Sequence, residues 1–179
     1  IIVKDYFGKI DVDDINGDAK INNQNGQILV EKVTGNAQLE THFGGVKAKN
    51  IGTDLTIENN NGTIEVDGVG RNADVTGSFG SIDIKDIKGS LKVKNNNGRI
   101  GIKDVGTNVN IKNSFGSIDY ASNNIKDADI LAKTDFGSIR CDEDINVTKS
   151  GQQSKVEGKT GNAKNKIEIT NTNGDININ

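Results

Sequence analysis

Asp83 and Asp119 are the residues in this sequence best placed for acid–base work. Each closes a copy of the hexapeptide Ser-Phe-Gly-Ser-Ile-Asp, found at 78–83 and again at 114–119. Asp11 and Glu65 hold the same place in other copies, and Gly101 stands midway between the two aspartates. If copies stack like strands, Asp83 and Asp119 lie roughly 9.6 Å apart, with a gap over Gly101. That is near the carboxyl separation of inverting glycosidases, where one group acts as acid and the other as base. No Arg or aromatic cluster is expected around the pair, so a solvated acidic stripe is the preferred reading and the chain is read as a non-enzyme.

Other reactive side chains are sparse. His42 is the only histidine and sits beside Phe43 in a turn. Cys141 is the only cysteine, so no disulfide can form within the chain, and it falls in an inward column as a small hydrophobe. Asp142-Glu143-Asp144 lacks the spacing of a calcium loop. The glycines lead into no helix that could cradle phosphate. No catalytic residue, metal ligand or cofactor is assigned.

The lysines offer a binding surface. Lys92, Lys94, Lys112 and Lys133 recur on one outward face in the C-terminal half, while Glu40 and Glu58 occupy it in the N-terminal half. Stacked like charges repel, so a run of lysines points to an anionic partner. An anionic cell-wall polymer, a phospholipid membrane surface or another protein would serve. Nucleic acid is not expected, because the net charge is −3 and no aromatics interleave with the lysines. The alternative is a solvated stripe that discourages edge pairing.

These residues are positioned by a repeat. Gly8, Gly26, Gly44, Gly62, Gly80, Gly98 and Gly116 follow one another at intervals of 18 residues, and Gly137 and Gly174 come later at intervals of 21 and 37. Taking each glycine as column zero, columns two and four carry Ile82 and Ile84, column seven Ile87, and columns eleven and thirteen Leu91 and Val93. The same columns are apolar, and mostly β-branched, in the other copies. Alternation with period two predicts two short, half-buried strands per copy, with a corner at column seven. One copy cannot bury its own apolar face, so the copies must stack.

The expected fold is an all-β, right-handed parallel β-solenoid of about nine rungs, forming a single domain over 1–179. A left-handed hexapeptide coil would need apolar or small residues every six positions, and column eight holds Asn16, Thr34, Gly52, Gly70, Lys88 and Gly106, which is not that code. Right-handedness follows from the usual sense of parallel crossovers. Three extra residues interrupt the register near Ser122–Ile125, and the polar stretch 148–166 reads as an inserted loop or hairpin. Hydrophobic content of 32% is low for a globule, but concentration into five columns still allows a narrow core.

The residue before each glycine alternates Phe7, Asn25, Phe43, Asn61, Phe79, Asn97, Phe115, then breaks at Phe136 and resumes with Asn173. Rings in every rung would crowd at ~4.8 Å. The expectation is that the rings pack onto the corner and cover it; exposed rings would instead form a ligand-stacking surface. No helix is predicted to cover either end, so end-to-end self-association is a further expectation.

The recurrent Phe-Gly-Ser-Ile-Asp and Asn-Asn-Gly-x-Ile units, with Val-x-Gly-Asn/Asp between them, resemble the adhesin-type β-strand repeat domain of bacterial cell-envelope proteins. The resemblance covers the chain outside 148–166. It implies a cell-envelope or extracellular surface location and an adhesin-like binding or scaffold role for an unknown ligand. It supplies no site residues. A leader or anchor is expected to lie outside this chain.

Overall fold

All 179 residues are described in the structure, a computed structural model. The chain is all-β apart from one short 3-10 turn. Strands β1 (Ile2–Phe7), β2 (Ile10–Ile15), β3 (Ala19–Asn25), β4 (Ile28–Val33), β5 (Ala37–Phe43), β6 (Val46–Ile51), β7 (Leu55–Asn61), β8 (Ile64–Val69), β9 (Ala73–Phe79), β10 (Ile82–Ile87), β11 (Leu91–Asn97), β12 (Ile100–Val105), β13 (Val109–Phe115) and β14 (Ile118–Ala121) coil upward. Odd-numbered strands stack in one parallel sheet, called here the A sheet, and even-numbered strands in a second, the B sheet. Pairing follows the 18-residue period, as in Ile82 with Ile64 and Ile100. This is the expected β-solenoid.

The columns behave as the alternation requires. Columns two, four, seven, eleven and thirteen are buried throughout the middle of the stack, from Ile28 and Val30 to Ile111 and Ile118. Columns four and seven are an odd number apart, yet both face inward. Column six resolves this, because Asp14, Lys32, Asn50, Asp86 and Asp104 have φ between 53° and 59° and Gly68 has 84°. One left-handed residue reverses the facing of the next. Asp and Asn tolerate that conformation better than most residues.

The glycine corner is sterically closed. A Cβ on Gly80 would lie 2.2 Å from the carbonyl oxygen of Gly62, and its φ of 135° is itself left-handed. Inside the corner, the side-chain amides of Asn23, Asn59, Asn95 and Asn113 donate to the carbonyls of Gly8, Gly44, Gly80 and Gly98, at 2.8 to 3.2 Å. Column ten forms an axial ladder on the outside. The Asp54 carboxylate accepts from the backbone of Asn72 at 3.0 Å, and the Asn72 side-chain oxygen accepts from the backbone of Ser90 at 3.0 Å.

The C-terminal end departs both from a stack in simple chain order and from the expectation of uncovered ends. First, the levels are not in chain order. After the 3-10 turn Asn123–Asp127, β15 (Ala128–Phe136) and β16 (Ile139–Cys141) rise past one vacant level. The chain then makes a hairpin, β17 (Val147–Ser150) and β18 (Gln153–Lys159), and returns as β19 (Asn165–Asn173) and β20 (Ile176–Ile178). Strand β19 pairs with β13 on one side and β15 on the other, while β20 lies between β14 and β16. The three extra residues of the turn supply the climb. Ile125 is buried beneath it, and the Asn124 amide donates to the Thr107 carbonyl at 2.6 Å.

Second, this end of the A sheet is not bare. Strand β18 pairs antiparallel with β15, with Ser154 and Val156 buried, and β17 forms the outermost edge. The polar stretch 148–166 is therefore largely a cap.

Candidate functional site

The A sheet and its glycine corner carry the most distinctive surface. Phe7, Phe43, Phe79, Phe115 and Phe136 are 51% to 76% exposed. The expectation that the rings are buried over the corner is thus corrected. The reason is local, since Asn and Thr side chains already fill the inside of the corner and leave no room for a ring. The interposed level also removes the break in alternation. Phe115 pairs with Asn173, and Asn173 pairs with Phe136, so Phe and Asn alternate in space from one end of the stack to the other. Adjacent rings belong to levels roughly 9.6 Å apart.

Beside this edge lies the outer face of the A sheet, with the lysines singled out from sequence. Lys94 and Lys112 stand side by side on β11 and β13, and neither makes an ion pair. Lys92 is held by Asp74 at 2.7 Å, and Lys133 by Asp135 at 3.1 Å. Thr170 stands between Lys112 and Lys133, so these two are not on consecutive levels as expected. The four lysines do not form one free cationic strip; two of them do. Glu40 and Glu58 are neighbours on β5 and β7, and Thr76 separates Glu58 from Lys94.

The B sheet carries the acidic pair in a shallow groove floored by Gly101 and edged by Lys85 and Arg99. Register puts Asp83, Gly101 and Asp119 on three successive levels, as expected. Sequence reasoning missed Arg99, which stands two residues before Gly101. Its guanidinium spans the gap, at 2.8 Å from Asp119 and 3.6 Å from Asp83. The Asn177 amide donates to Asp119 at 2.7 Å, and with Arg99 it outweighs partial burial and holds that carboxyl below its ordinary range. A general acid needs the opposite shift. Lys47 with Glu65 and Lys85 with Asp67 balance the rest of the groove.

The remaining candidates fall in ordinary settings. His42 contacts the Asn60 amide at 3.0 Å and is 3.9 Å from Glu40. Cys141 is half-buried on β16, and burial pushes its thiol up, away from reactivity. No group of three metal-ligating side chains converges anywhere in the chain. No helix is long and apolar enough to cross a membrane.

Residues 2–179 match the Toastrack DUF4097 family. No curated protein and no solved structure matches the chain. The family match supports a repeat domain of unknown function over the whole chain and carries no adhesin designation.

Proposed function

The chain belongs to the Toastrack DUF4097 family, and from that premise we propose that it is a non-catalytic binding or scaffold domain of the cell envelope. The observation that supports this is the Phe edge, with five rings more than half exposed on alternate levels. Exposed apolar rows of this kind mark interaction surfaces. The working surface is then the Phe edge with the adjoining outer face of the A sheet. The envelope setting rests on the resemblance to envelope repeat domains.

The test has two arms. A fluorescent tag on the full-length protein in its host should mark the cell envelope; cytosolic filaments would favour a self-assembling structural role instead. The purified domain should co-sediment with cell-wall material or anionic vesicles, and the Phe43→Ser/Phe79→Ser/Phe115→Ser variant should not. End-to-end polymerisation is the weaker reading, because the antiparallel hairpin covers the A sheet at one end. Polysaccharide cleavage is weaker still, because Arg99 occupies the gap between the carboxylates. Turnover of a wall polysaccharide, lost in Asp119→Asn, would overturn the non-catalytic reading.

A further inference from the structure

The charges on the outer A sheet have an arrangement that stability alone does not favour. Along column fourteen, five successive levels read Glu40, Glu58, Thr76, Lys94 and Lys112. Two like-charged neighbours stand on each side of a neutral centre, although like charges directly opposite one another on a sheet are destabilising. Within the chain, neither Glu58, Lys94 nor Lys112 has an ion-pair partner, and Glu40 has only the distant His42. Over these five levels the row is antisymmetric about Thr76; beyond them Asn22 and Thr170 are neutral, and of the end residues Lys4 and Lys133 the second is already neutralised by Asp135 at 3.1 Å.

We propose that this face binds a second copy of the same chain, packed face to face with its levels running in the opposite direction. This deepens the proposed scaffold role and rests on the same working surface. A two-fold axis along the strands at the level of β9 keeps each column opposite itself and inverts the levels. Glu58 then faces Lys94 of the second copy, and Glu40 faces Lys112 of the second copy. Each pairing occurs twice, as an isologous contact requires.

Two further features fit the same operator. In column twelve, Lys20 on the second level and Glu168 on the eighth are equidistant from the centre and come opposite one another. Asp74 lies on the axis and faces its own copy, but Lys92 at 2.7 Å already neutralises it. The Phe rows of the two copies run along one shared margin, Phe level against Phe level. Pairing with the levels in the same direction, about an axis running up column fourteen, would instead set Glu against Glu and Lys against Lys.

The size is adequate. Seven-residue strands over nine parallel levels give a face roughly 23 Å by 38 Å, on the order of 900 Å² per copy. One side of a standard interface buries about 800 Å². Strands of the two copies lie nearly aligned, which is a usual way for twisted sheets to pack.

Three proteins test this: the wild type, Lys94→Glu/Lys112→Glu, and Glu40→Lys/Glu58→Lys. Their molar masses would be followed by sedimentation at low and high salt, with circular dichroism to confirm folding. The wild type should dimerise at low salt and dissociate as salt rises. Each variant alone should associate at least about tenfold more weakly. An equimolar mixture of the two variants should recover the dimer, because glutamate again faces lysine at positions 40, 58, 94 and 112. Folded variants that do not recover on mixing, or a wild type that stays monomeric at all concentrations, would overturn the inference. The same proteins are also sedimented with anionic vesicles. Monomers whose vesicle binding is lost in Lys94→Glu/Lys112→Glu would overturn the second copy but uphold the face as the working surface. Monomers whose vesicle binding is unchanged in both variants would overturn the second copy and confine the working surface to the Phe edge.

Discussion

Phe79 and Tyr120 put the same kind of side chain to different uses. The Phe79 ring is 56% exposed, so truncation removes little from the core. Phe79→Ala should cost about 1 kcal/mol in a chemical melt, well below the ~3 kcal/mol expected of a buried ring. Tyr120 is fully buried in column four, and its hydroxyl donates to the Asn124 side chain under the 3-10 turn. Burial pushes its pKa up to about 12. The unfolded chain ionises this phenol near pH 10, so the folded state is favoured below that value and loses the advantage as pH rises toward 12. The loss is on the order of 2 kcal/mol. Tyr120→Phe should start less stable by roughly 1–2 kcal/mol, since Asn124 loses its donor, but should decline less between pH 10 and pH 12 in thermal melts.

At the scale of elements, the coil depends on two corners that work by different means. Column six turns the chain with a left-handed residue, and column zero turns it with a glycine wedged against the level below. Gly80 and Gly17 separate strain from collision. Both have positive φ, but a Cβ on Gly17 meets nothing within 4 Å, whereas one on Gly80 meets a backbone oxygen at 2.2 Å. Gly17→Ala should cost about 1–3 kcal/mol from strain alone. Gly80→Ala should cost clearly more, because the two backbones must separate, and equal losses in urea melts would mean that the corner is not closely stacked. The strands and their facing were legible in the sequence, because Ile82, Ile84, Leu91 and Val93 repeat every 18 residues. The column-six reversal was readable only as a change in spacing before Ile87. Arg99 was not readable as a partner for Asp83 and Asp119, since its reach across a level depends on the empty space above Gly101. The exposure of Phe79 was hidden for a similar reason, because Asn95 fills the inner corner from a different column.

At the scale of the molecule, the interposed level changes how the solenoid should come apart. In a stack with levels in chain order, each level touches only its sequence neighbours, and damage at the last strand frays that strand alone. Here β19 carries β15 on its far side, and β15 carries β18 and then β17. The broken Phe/Asn alternation was the signal of this order in the sequence, since Asn173 restores it only by standing between Phe115 and Phe136. Ile169 is fully buried on β19, paired with Ile111 below and Ala132 above. Ile169→Asp would place an unpaired carboxylate in that core, at a cost of several kcal/mol. The expected result in amide hydrogen exchange is loss of protection across β15, β16, β17, β18, β19 and β20 together, while β3 to β11 stay protected. Ile21→Asp on β3 should instead expose only the levels at the N-terminal end. If Ile169→Asp left β15 and β18 protected, β19 could not lie between β13 and β15, and the order of levels described here would be wrong.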